Sequence, residues 1–154
     1  MDTVVNLVHL LAMAVWLGGA ITMKLVFEPA AKMIDPREGG KFMGLVASRF
    51  SVVAWTCVGL LLVTGIMKTP TEMYFAASSD VEIALTVKHI LFLVMIGVGL
   101  VITLVIVPRM RQNAPAPGEP PSATFLTAQK RIGHLSMINT LLGLGVLLCA
   151  SLLW

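Results

Sequence analysis

The sequence predicts an all-α membrane protein, a four-transmembrane-helix up-down bundle, on three observations. Of 154 residues, 57% are hydrophobic and 12% are charged, against roughly 25% charged in a soluble domain. Mean hydropathy is +0.91. Four stretches, residues 4–27, 50–67, 83–107 and 134–154, are each apolar over about 20 residues, the length that crosses a bilayer core. They are solidly apolar and do not alternate with period 2, which favours helices over a barrel. Little chain is left over, so residues 1–154 read as a single integral membrane domain.

The first segment, VVNLVHLLAMAVWLGGAITMKLVF, has Asp2 as its one early charge and lacks the basic start of a signal peptide. Its apolar run also continues past Ala20, so it reads as a helix that stays. The second opens at Arg49-Phe50-Ser51. The third follows Lys88-His89 with Ile90 to Val107, which carries no charge, and the fourth begins near His134. Asn139 and Thr140, inside the fourth, are expected to bond across helices. The stretch QNAPAPGEPPSATF, residues 112–125, is a proline-rich connector.

Loop charge sets the orientation. Lys32, Arg37 and Lys41 lie between the first two segments, and Arg109, Arg111, Lys130 and Arg131 lie between the last two. The middle loop sets Lys68 against Glu72, Asp80 and Glu82. The positive-inside rule then places the basic loops in the cytoplasm and both termini outside, for a multi-pass protein of the cytoplasmic membrane. The net charge of +3 gives no reason to invoke nucleic acid. Cys57 and Cys149 sit in separate segments without a C-x-x-C pair, so they read as buried apolar cysteines.

A weak internal repeat adds structure to this picture. VHLLAMAVWLGG in the first segment parallels KHILFLVMIGVG in the third. Each histidine is followed by glycines about ten residues on, and by a proline 20 residues after His9 or 19 after His89. A basic loop and a helix opened by an arginine, Arg49 or Arg131, then follow. Two parallel helical hairpins of this kind would be related by a pseudo-two-fold axis along the membrane normal.

In an up-down bundle the first and third helices lie on a diagonal and point the same way. At 1.5 Å per residue, His9 and His89 stand about 28 and 30 Å above the inner boundary, at one level near the outer face. Two imidazoles facing across a bundle core are the arrangement that ligates a b-type haem. Lys88 would then meet a propionate, and Trp16, two turns from His9, would wall the pocket or fill the core. The plainer alternative has His89 and Lys88 marking the water interface and His9 bonding a neighbouring helix. His134 belongs about 30 Å from Trp154, at the cytoplasmic end of its helix, as an interfacial histidine or a ligand to a second haem. His9 and Met13, four apart, share a face and would suit Cu(I), although methionine is also common packing.

HLLAMAVWLGG, RFSVVAWTCVGLLLVTGI, Lys88, the Pro108-Arg109 exit and NTLLGLGVLLCASLL together resemble the copper resistance D (CopD-like) membrane family, as a small four-helix member. The resemblance covers most of the chain. It implies a helix bundle in the cytoplasmic membrane and a part in copper uptake or tolerance. The chain is also loosely similar to HemJ-type haem-binding membrane proteins, which implies His9 as a haem ligand and Lys88 as a functional lysine.

Three functions stand. The leading one is a haem b protein that transfers electrons near the outer face, to quinone, a redox partner or a larger membrane complex. The second is a CopD-like copper transporter, and the third is a cofactor-free subunit anchoring such a complex. No nucleophile, carboxylate pair or nucleotide loop points to a stand-alone enzyme.

Overall fold

The computed structural model describes residues 2–69, 79–116 and 119–151. Glu72, in the middle loop, and Trp154, at the end of the fourth segment, lie outside the described residues. The chain divides into two compact units, Met1–Ala76 and Ala77–Trp154, each of which is a helical hairpin.

In the first hairpin, α1 (Asp2–Thr22) runs into a π turn (Met23–Phe27) and then α2 (Glu28–Ala31). A tight turn leads to α3 (Pro36–Lys68), which returns antiparallel along α1. Asp35 caps α3 by accepting from the amides of Arg37 and Glu38, with Pro36 at the first helical position. In the second hairpin, α4 (Asp80–Leu100) runs into a π turn (Val101–Ile106) and α5 (Val107–Gln112), and α6 (Ala123–Ser151) returns along it. Ser79 caps α4 through the Glu82 amide, and Ser122 accepts from the Phe125 amide at the start of α6. The repeat read from the sequence is present as a shared order of elements. Each hairpin has a 21-residue helix, a π turn, a short helix with proline second, and a long returning helix.

Four helical spans among the described residues are long and apolar enough to cross a membrane: Thr3–Ala31, Pro36–Lys68, Asp80–Gln112 and Ala123–Ser151. They exceed the expected lengths, for two physical reasons. The sequence reading stopped the first and third helices at residues 27 and 107, before Pro29 and Pro108. A proline inside an α-helix lacks the amide donor and clashes with the carbonyl four residues back. Here the turn before each proline is widened: the Glu28 amide bonds the Met23 carbonyl, and the Val107 amide bonds the Ile102 carbonyl. The helices therefore pass through their prolines and end at Ala31 and Gln112.

The second and fourth helices also start earlier than residues 50 and 134. Their first turns are polar, so hydropathy misses them, but the caps at Asp35 and Ser122 fix their starts. The connector before α6 accordingly shortens from 112–125 to residues 113–122.

Packing inside each hairpin depends on small residues. The Phe50 ring lies where a side chain on Gly19 would sit, and the Ala31 carbonyl lies where one on Gly39 would sit. Phe27 and Phe42 meet edge-to-face with centroids 6.1 Å apart. In the second hairpin, a Cβ on Gly145 would stand 3.3 Å from Leu91. The buried residues are few, among them Ala12, Trp16, Leu17, Cys57, Leu61 and Met95, while Val52 (68%) and Leu104 (67%) are largely exposed. An apolar exterior around a thin core is the pattern of a protein solvated by lipid.

Candidate functional site

His9 lies in the third turn of α1, half-buried against α3. Its Nδ1 is 2.7 Å from Oγ1 of Thr64, a residue only 6% exposed. The Thr64 hydroxyl is in turn 2.6 Å from the Leu60 carbonyl, which is purely an acceptor. A threonine hydroxyl has one proton. Given to Leu60, it leaves Thr64 Oγ1 to accept from His9 Nδ1–H. That arrangement fits the tautomer protonated on Nδ1, with the lone pair on Nε2. A second polar bond closes the same end of the hairpin, where Lys68 Nζ donates to Asn6 Oδ1 at 2.6 Å.

The other expected site residues of this hairpin line up along α1. Met13, one turn from His9, is half-buried, and Trp16, a further turn on, is 7% exposed and part of the core. Across from them on α3, Cys57, Leu61 and Thr64 fall at spacings of four and three and are all buried, so they form one inward stripe. Cys57 is a free thiol, buried as expected. Thr64 is the residue that sequence reasoning missed. Its signal was a lone hydroxyl deep in an apolar run, but a threonine in such a helix also satisfies itself by bonding the carbonyl four residues back, as Thr56 and Thr140 do here.

In the second hairpin, His89 is half-buried on α4 with its Nδ1 shielded from solvent, and Lys88 beside it is half-buried. His89 is four residues from the buried Leu85 and so shares its inward face. His134 is exposed and stands eleven residues inside α6. That corrects its expected place at the helix end, because the helix starts at Ala123. For Thr140 the expectation of a bond across helices is also corrected. Thr140 bonds the Ser136 carbonyl of its own helix, and the buried Asn139 Oδ1 has no hydrogen-bond partner among the described residues.

Each hairpin carries a groove. One, of about 460 Å³, is lined by Gly19, Met23, Phe27, Arg49 and Phe50 among others, and is almost wholly apolar. The other, of about 370 Å³, lies between α5 and α6. The histidine-ligated haem expected from the sequence needs an axial imidazole beside a cavity that admits the macrocycle. Neither groove is lined by a histidine, so these cavities do not fit a haem within either hairpin. Among the described residues no three of His, Cys, Asp and Glu cluster as a metal site. A metal held here would need thioether donors as well.

These features define a class: a multi-pass helical membrane protein built from two similar hairpins, with an oriented imidazole inside the first. Residues 44–153, more than half of the chain, match the family described as copper resistance protein D, and the chain belongs to that family. The match takes in α3 from Gly44 onward, α4, α5 and α6, including Thr64, Lys88 and His89, while His9 and Met13 precede it. Neither the curated proteins nor the solved structures hold a match to the chain.

Proposed function

We propose that the protein binds and moves copper within the cytoplasmic membrane, taking Cu(I) as cargo at His9 and Met13. The observation that carries this reading is the His9–Thr64 hydrogen bond. Ligating histidines characteristically donate their second ring N–H to a fixed acceptor, which sets the tautomer and the ring orientation. Thr64 is such an acceptor, and it leaves Nε2 as the coordinating nitrogen. Met13, on the same face at a Cβ spacing of about 5–6 Å, adds the soft thioether that Cu(I) favours. Cys57, two helical turns from Thr64 along the same α3 stripe, is the next soft donor on this interface. Family membership supports copper over haem b as the metal species. The basic loops support an orientation with both termini outside, which would put His9 near the outer face, where copper enters.

The test is a Cu(I) competition titration against a chromogenic chelator, on protein purified in mild detergent under anaerobic reducing conditions. His9→Ala and Met13→Ala should each weaken binding by tenfold or more, Thr64→Val by about tenfold, and His134→Ala not at all. Unchanged affinity in His9→Ala would overturn the site. A dithionite-reduced minus oxidised visible spectrum of the same preparation, supplied with haem, addresses the other cofactor. Sharp α and Soret bands lost in both His9→Ala and His89→Ala would replace copper with a bis-histidine haem b and electron transfer.

A further inference from the structure

The groove between α5 and α6 is lined by no histidine. On α6 it is lined by Thr124, Thr127, Ala128 and Arg131, spaced three, one and three residues apart, so they form one stripe. On the facing strand of chain it is lined by Ile106 and Arg109, also three apart. Ile106 is 8% exposed and anchors that face against α6, so Arg109 one turn later is carried to the same side. The small alanine and threonines leave a groove of about 370 Å³, and arginines from two elements line it.

Among the described residues nothing neutralises this pair. Neither Arg109 nor Arg131 makes an ion pair among the described residues. Between residues 107 and 134 the sequence has four basic residues, Arg109, Arg111, Lys130 and Arg131, and one acid, Glu119. The Thr127 hydroxyl gives its proton to the Ala123 carbonyl at 2.8 Å, so Arg109, Arg131 and the Thr124 hydroxyl are the side-chain donors that line the groove. Donors without a built-in anion suit a ligand that only accepts. A planar guanidinium matches two phosphate oxygens at once. The groove also lies where the apolar run of residues 101–107 gives way to a basic end at Arg109 and Arg111, the kind of boundary that meets lipid headgroups.

We propose that Arg109, Arg131 and Thr124 form a binding site for the phosphate of an anionic phospholipid headgroup. Basic pockets between transmembrane helices on the cytoplasmic side suit such headgroups. The groove's apolar wall, Ile106 and Ala128, would take the start of the acyl chains.

Native mass spectrometry of the full chain in mild detergent, titrated with phosphatidylglycerol or phosphatidylcholine, tests this. Phosphatidylglycerol should bind and phosphatidylcholine should not, because the choline cation meets two arginines. Arg109→Gln and Arg131→Gln should each weaken phosphatidylglycerol binding roughly fivefold, and the double variant roughly twenty-fivefold. Arg111→Gln, outside the groove lining, should bind like the parent, and Arg109→Lys, which keeps the charge but loses the two-oxygen match, should fall between the parent and Arg109→Gln. Helical content by circular dichroism controls for folding. Equal binding of both lipids, or an equal loss in Arg111→Gln, would overturn the site. Displacement of the lipid by inorganic phosphate at matched concentration would overturn the lipid as occupant.

Discussion

His9 and Thr64 are 55 residues apart in the chain and 2.7 Å apart in space. The bond joins α1 to α3 inside an apolar interface and orients the imidazole ring. One threonine thus does two things: it ties the hairpin together and positions its histidine.

Thr64→Val keeps the shape and removes the acceptor, leaving the His9 N–H without it. The hairpin should lose about 0.5–2 kcal/mol, the range for an interhelical hydrogen bond in a membrane. Thr64→Ser, which keeps the hydroxyl, should be close to the parent. Thermal unfolding in detergent measures both, and a valine variant that melts with the parent would show that the bond adds no stability.

The glycines divide by what faces them. A side chain on Gly39 would meet the Ala31 carbonyl, a backbone atom with nowhere to go, whereas one on Gly40 meets nothing within 4 Å. Gly39→Ala should destabilise by about 1–3 kcal/mol, and Gly40→Ala should be neutral or stabilising by up to about 1 kcal/mol, from helix propensity. Gly19→Ala is intermediate, because the atom it meets belongs to the Phe50 ring. Adding Phe50→Leu should restore much of the loss, an interaction that a double-mutant cycle reads directly.

Pro108 enforces the π turn before it. In Pro108→Ala the clash is gone and an amide is regained, so the 101–107 segment can return to α-helical bonding. Amide hydrogen exchange across residues 101–107 should slow, with no change in α6. Unaltered exchange would mean that packing, not the proline, holds the π turn open.

The basic loops predict sidedness. A cysteine placed at Ala114, in the connector before α6, should react with an impermeant maleimide in inside-out vesicles and resist it in intact cells. The opposite pattern would invert the topology and move the His9 end of the first hairpin to the cytoplasm.

Much of this was legible in the sequence. The four spans follow from hydropathy, because burying an unpaired backbone in lipid forces apolar helices wherever the chain crosses. The hairpin repeat was visible in the spacing of His9, His89, Pro29 and Pro108. His9 and Met13 were legible as a pair, because residues four apart share a face. The helix starts were written in the Asp35-Pro36 and Ser122 caps, yet hydropathy passes over polar turns. Less legible was the behaviour of the two prolines, which read as stops until the widened turns before them are seen.

By itself the sequence determined where the chain is apolar, how many times it can cross a bilayer, and which residues carry donor atoms. These are sums over composition and spacing. The tertiary structure decided which groups meet: His9 with Thr64, Lys68 with Asn6, and Arg109 and Arg131 along one groove. Such meetings depend on the rotation of each helix about its axis. One residue added by a π turn shifts the following face by about 100°, and no count of apolar residues registers that turn.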